Sequence, residues 1–196
     1  MYIRGSMDWW KKEWAPERAD SGSGWAPRES LENSEPLFDW LDRTRSFAEE
    51  ENASVCNIGC MFDYMEFGCY KPLRKRFKNI TYVDVAQDAL DDLKKNVDAS
   101  VKTYLTEGLE LSGINSNHFD LIISVDSLVY LETEEVLEYF EEFRRVLKPS
   151  GVYSIHFGRQ GAAHSVIDYE QIHSKVSEWS NIISSPGQCF ISGVKR

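Results

Sequence analysis

Phe119-Asp-Leu-Ile-Ile-Ser-Val125 is the stretch on which the fold turns. A strand with one wet face alternates apolar and polar residues; this one does not, so it reads as a strand buried on both faces, as in a parallel sheet. Downstream, Thr133 stands where a helix cap is expected. Val136, Phe140, Phe143 and Leu147 recur at helical spacing, and Lys148-Pro-Ser-Gly151 carries the residues that stop a helix. Val152 to Phe157 is the next strand. Strand, helix and strand in succession make a crossover unit, and such crossovers are right-handed.

The same alternation extends toward the amino terminus. Ser54-Val-Cys-Asn-Ile58 is a short strand ending at Gly59, and a helix follows over about Tyr64 to Phe77, made irregular by Gly68 and Pro72. Ile80-Thr-Tyr-Val83 is a second strand, ending at Asp84. In the helix behind it Leu90, Leu93 and Val97 share one face, and Asp91, Asp92, Lys94 and Lys95 the other. Val101 to Leu105 is a third strand. Earlier still, Ser34 can cap a helix with Pro36 near its first turn and with Leu37, Trp40, Leu41 and Phe47 on roughly one face.

Toward the carboxyl terminus, residues 168–179 read as a last helix. Asn181 to Ser184 and Cys189 to Val194 then form two strands joined through Pro186-Gly187. The expectation is a doubly wound α/β domain. It has a mainly parallel seven-stranded sheet, helices on both faces and a ligand crevice beyond the carboxyl ends of the strands.

Residues 8–35 differ from the rest. Trp9, Trp10, Trp14 and Trp25 stand there among Gly, Ser, Pro and charges, as in an arm that docks through aromatic anchors. Residues 1–7 read as a cloning scar, because Gly5-Ser6 precedes a second methionine. The division expected is therefore 1–7, an arm at 8–35, and the main domain at 36–196.

At 196 residues, with 42% hydrophobic and 28% charged residues, the chain can bury an ordinary core without staples. A formal net charge of −10 disfavours a nucleic-acid backbone as partner, since each phosphate must be met by a cation. The basic cluster of Lys71, Arg74, Lys75, Arg76 and Lys78 is read as the solvated end of a helix. No apolar run suits a membrane span or a leader, so a cytoplasmic protein without a membrane partner is expected. Cys56, Cys60, Cys69 and Cys189 form no Cys-x-x-Cys pair and have no histidine at zinc-ligand spacing, which speaks against a metal site. Cys56 and Cys189 fall in apolar strands as small core residues.

The segment from Phe119 through Leu131, with the Phe-Arg-Arg-Val-Leu-Lys-Pro-Ser-Gly-Val-Tyr run ending at Tyr153, resembles the fourth strand, following helix and fifth-strand turn of the class I S-adenosylmethionine-dependent methyltransferases. Tyr82-Val-Asp84, with the helix starting near Ala86 behind it, is similar to that family's second strand, acid and helix. The likeness runs from about Leu37 to the carboxyl terminus. It implies S-adenosylmethionine as cofactor and a methyl-transfer activity. It also implies that Asp84 grips the ribose. A carboxylate with two accepting oxygens suits a vicinal diol.

Asn57, Gly59, Cys60, Val85, Glu107, Gly108 and Ser124 complete the implied cofactor set. Asn57 stands where the family has an acid. In Asn57-Ile-Gly-Cys-Met-Phe-Asp63 only the first of three family glycines is kept, with Met61 and Asp63 at the other two. Glu107 is aligned with the acid near the adenine, although Glu110 is an alternative register. Asp126, Tyr130 and His164 are the candidate bases for an oxygen or nitrogen acceptor. His156 falls in a strand and His118 in a turn.

Two functions stand open at this level. One is methyl transfer to a small-molecule or sugar-like metabolite, favoured by the short chain and acidic charge. The other is a methyltransferase-like fold serving as a binding or scaffolding protein, motivated by Asn57, Met61 and Asp63. A nicotinamide-dependent dehydrogenase fits less well, because the phosphate-approaching second glycine is missing. The tryptophan arm offers either an acceptor pocket or the contact of a homodimer.

Overall fold

The computed structural model describes residues 52–59, 73–74, 77–96, 99–124, 127–128, 131–156, 167–183 and 190–196. Outside them lie the tryptophan arm, the helix expected from Ser34, Val97, Pro186-Gly187 and all but the end of the helix expected over Tyr64 to Phe77. Of that last helix, Leu73 and Arg74 are helical.

Seven strands form one sheet in the order β3-β2-β1-β4-β5-β7-β6. Strand β1 is Ser54–Ile58, β2 Asn79–Asp84, β3 Lys102–Leu105, β4 Phe119–Ser124, β5 Leu147–His156, β6 Ser180–Ile182 and β7 Phe190–Lys195. All neighbours from β3 to β5 pair parallel, whereas β7 runs antiparallel to both β5 and β6. Helix α1 (Gln87–Asn96) joins β2 to β3, and α2 (Thr133–Val146) joins β4 to β5. Helix α3 (Tyr169–Ser177) precedes β6.

From β1 the chain steps outward one way to β3, returns beside β1 as β4, and steps outward the other way. With right-handed crossovers, those two directions put α1 and α2 on opposite faces. The doubly wound sheet read from the sequence is therefore the sheet found, with its switch in direction between β1 and β4.

β4 carries that switch because its side chains are apolar on both faces: Phe119, Leu121, Ile122 and Ile123 are fully buried. On one face Cys56, Ile58, Ile122, Tyr153 and Ile155 join Val136, Phe140 and Phe143 of α2 and Ile172 and Val176 of α3 in a single cluster. Phe143 stacks on Tyr139 and meets Phe140 edge-on, with ring centroids 5.6 and 5.5 Å apart. Truncating such a ring to alanine costs about 3–5 kcal/mol.

Two expectations are corrected. Thr133 does not cap α2; Glu132 does, its backbone N–H donating to the Glu135 carboxylate at 2.8 Å. The Thr133 hydroxyl instead accepts the N–H of Asp168, tying α2 to the start of α3. The helix does stop before Lys148-Pro-Ser-Gly151, but that run already belongs to the next strand. β5 begins at Leu147, paired with Phe119, and the register with β4 shifts before Val152. Ser150, at φ 60°, absorbs the shift. Among the described residues no helix is long and apolar enough to cross a membrane.

Candidate functional site

Parallel register gathers four strand ends at one edge. Ile58 pairs with both Val83 and Ser124, and Asp84 pairs with Leu105. The residues after β1, β2, β3 and β4 therefore surround the switch point, where ligands of such sheets bind.

Gly59 turns out of β1 at φ +80°, and its N–H donates to the Val83 carbonyl at 2.8 Å. A Cβ built there would lie 1.6 Å from the Ser127 hydroxyl oxygen. Glycine is thus required both by the backbone angle and by the close approach of the residue beyond β4.

Asp84 ends β2 half-buried, and its Oδ1 accepts the N–H of Ala86 at 3.0 Å. That bond fixes the carboxylate at the strand tip while shaping the entry to α1. Val85 beside it is half-buried.

Beyond β3 the buried Thr106 organises a tight loop. Its hydroxyl oxygen lies 2.7 Å from the carbonyls of both Gly108 and Glu110 and accepts the Gly108 N–H at 3.3 Å. Glu107 is thereby presented at the surface. Gly108 has open space around it, so no neighbour demands a glycine there. The phenol of Tyr139, on α2, reaches the Gly108 carbonyl from below at 3.4 Å. Burial, and then the charge of Asp84, push that phenol far above its ordinary range, so it stays a neutral donor.

On the two central strands, buried polar groups lack partners. Among the described residues, both polar side-chain atoms of Asn57 and the hydroxyl of Ser124 have no hydrogen-bond partner, although both residues are fully buried. Because side chains alternate along each strand and Ser124 pairs with Ile58, the two face opposite sides of the sheet. Orphans of this kind are rare in folded interiors and ask for an explanation. An amino-acid-bearing ligand at the switch point supplies one, so the residues present fit S-adenosylmethionine.

Of the sequence-derived set, Asn57, Gly59, Asp84, Val85, Glu107, Gly108 and Ser124 come together at this edge. Cys60, Asp126, Tyr130 and His164 lie outside the described residues, as do Met61, Phe62 and Asp63. His118 is exposed and sits edge-on to Phe119. His156 ends β5. Cys56 is fully buried, and burial raises its thiol far out of the reactive range, as befits a core residue.

Sequence reasoning missed Thr106, Ser127 and Tyr139. A threonine opening Thr-Glu-Gly is a side-chain-to-backbone turn signal, and Tyr139 shares the apolar face of α2 at i+3 from Val136. Nothing in the sequence marks Ser127. Among the described residues, no group of histidine, cysteine or carboxylates could hold a metal.

A family model described as a methyltransferase domain matches residues 65–155. No curated protein matches the chain in sequence. Among solved structures, N-methyltransferase NodS from Bradyrhizobium japonicum WM9, in complex with S-adenosyl-l-homocysteine, is similar over 96% of each chain, with a TM-score of 0.63 and 18% identity. A protein from Pyrococcus horikoshii OT3 is similar over 93% of this chain and 99% of its own, with a TM-score of 0.64 and 17% identity. A TehB-like methyltransferase from Corynebacterium glutamicum gives a TM-score of 0.57 at 16% identity, over 87% of this chain and all of its own.

Proposed function

We infer that this chain, an S-adenosylmethionine-dependent methyltransferase by its family match and its sheet, passes the methyl group to a small polar metabolite. The observation that carries the reading is the unpartnered pair Asn57 and Ser124 at the switch point. Each buried orphan costs about 1–3 kcal/mol, a cost that a ligand with matching groups removes.

In this reading Asn57, Gly59, Cys60 and Ser124 take the amino-acid end of the cofactor. Asn57 offers one donor and one acceptor side to a group that carries both ammonium and carboxylate. Asp84 accepts from the two ribose hydroxyls with Val85 beside it, and Glu107 and Gly108 meet the adenine. When bound, the cofactor supplies an electrophilic methyl on a cationic sulfonium. What remains for the protein is to hold the acceptor in line and keep water out. Asp126, Tyr130 and His164 are proposed to take the proton of an oxygen or nitrogen acceptor.

A small acceptor is supported by the net charge of −10, which repels polyanions. Residues 36–196 are proposed as the methyltransferase domain. Residues 8–35 are proposed as an arm whose tryptophans wall the acceptor or join two copies, in a cytoplasmic protein free of nucleic acid and membrane.

Calorimetric titration with S-adenosylhomocysteine tests the reading. Asp84→Asn keeps an oxygen for the Ala86 N–H but loses the carboxylate. It should weaken binding by roughly one to two orders of magnitude, as expected for charge-assisted bonds of about 1.5–3 kcal/mol. No binding to the folded wild-type protein at millimolar ligand leaves a scaffold in place of an enzyme.

A further inference from the structure

We propose that Tyr139 is a positioning residue for the adenosine end of the cofactor, acting through the carbonyl of Gly108. The inference rests on the cofactor reading above and adds to it a residue of α2 that lies below the loop beyond β3.

Hydrogen-bond accounting leads there. The Thr106 hydroxyl lies 2.7 Å from two carbonyls, those of Gly108 and Glu110. A hydroxyl has one proton, so it serves one of them at a time. The Tyr139 hydroxyl, 3.4 Å from the Gly108 carbonyl, is the second donor. Two hydroxyls thus satisfy two carbonyls, and the loop that presents Glu107 is held closed. Tyr139 cannot drift from this post. It is only 3% exposed and stacks on Phe143.

The protein contains its own control. Tyr153 is fully buried, and its hydroxyl pairs with that of Ser180 at 2.7 Å, on the β5–β6 side of the sheet. Losing that hydroxyl removes a buried bond of similar kind far along the sheet order from β3.

The experiment compares Tyr139→Phe and Tyr153→Phe in the full chain by calorimetric titration, with melting temperatures recorded for each. Two probes are used: S-adenosylhomocysteine, and 5′-methylthioadenosine, which lacks the amino-acid end. Tyr139→Phe is expected to weaken both probes by the same factor, about fivefold for one neutral hydrogen bond. Tyr153→Phe is expected to lower the melting temperature and leave both affinities unchanged. Unaltered affinities in Tyr139→Phe, against a wild type that binds, overturn the proposal alone. So does equal weakening by Tyr153→Phe, which would make the effect one of general stability. Loss confined to S-adenosylhomocysteine overturns the assignment to the adenosine end. A wild type that binds neither probe overturns the cofactor reading, and this proposal with it.

Discussion

Asn57, Ile123, Ser154 and Ser192 lie in one register row across β1, β4, β5 and β7, on the same face of the sheet. At one end of the row the Asn57 amide is buried with no partner among the described residues. At the other end the hydroxyls of Ser154 and Ser192 meet at 2.9 Å. Nearby, Tyr153 and Ser180 pair in the same closed fashion, and Lys195 donates to the Leu147 carbonyl. Polarity on the β5–β7–β6 side is spent within the protein. At the tips of β1 and β4 it is held open. The same residue types in the same sheet therefore separate into groups that bond to one another and groups left open.

The hardest break of this comparison is at Gly59. Valine there meets both a left-handed backbone, costing about 1–2 kcal/mol, and the Ser127 side chain, whose displacement costs about 1–3 kcal/mol more. Gly59→Val should lose S-adenosylhomocysteine binding altogether and melt well below wild type. Gly108→Ala, with open space around it, should melt like wild type. Equal melting of the two variants would show that the first loop is not built around the Gly59–Ser127 contact.

A finer cut sets Asn57→Leu against Ser154→Ala. Removing a buried group that has no partner is neutral or stabilising, whereas removing one member of a pair strands the other at about 1–3 kcal/mol. Asn57→Leu should hold or raise the melting temperature of the unliganded protein, yet weaken S-adenosylhomocysteine about tenfold or more, the loss of a bond to a charged group. Ser154→Ala should lower melting by roughly 2–4 °C per kcal/mol lost and leave binding alone. If Asn57→Leu instead destabilises and binding persists, the row is structural from end to end.

The architecture was legible because burial on both faces leaves a plain mark. Phe119 to Ser124 could only be a central strand, and Leu90 and Leu93 could only face inward. The place of Asp84 at the tip of β2 was legible for a similar reason, as the first acid past an apolar strand. The Thr133 cap was misread because Glu132 and Glu135 make the cap between them, and a glutamate at the cap position is a weak signal beside a threonine. The turn at Lys148 to Gly151 was misread because Pro149 and Gly151 also suit a bulged strand edge. Tyr139 was legible only as a member of the apolar face of α2, and Ser127 not at all. Their roles come from contacts across the sheet's edge, with Gly108 and Gly59, which no local pattern encodes.

The smallest effect expected tests a closed group on the helix between β4 and β5, away from the β5–β7–β6 side, to ask whether the division follows position along the sheet or partnership. Glu142 of α2 accepts from Arg145 and from the Leu111 N–H at 2.7 Å, while Arg145 donates to the Leu111 and Ile114 carbonyls. The pair clamps the connection from β3 to β4. The Arg145 hydrogen bond, opposed by partial burial and aided by the Leu111 N–H, holds the Glu142 carboxyl below its ordinary value of 4.5. A carboxyl lowered by folding adds stability that is fully present above the unfolded value and is lost as pH falls through the folded one. Solvent screening keeps the gain below about 1 kcal/mol. Wild type should therefore melt slightly above Glu142→Gln at pH 7, and the two should converge as the pH falls below 4.5 and through the lowered value of the folded carboxyl. A gap that widens with acid would assign the clamp's strength to something other than this carboxylate. Unchanged S-adenosylhomocysteine affinity in Glu142→Gln at pH 7 would show that a satisfied group stabilises without serving the ligand even away from the β5–β7–β6 side. Partnership, rather than position along the sheet, would then be what divides the two kinds of polarity.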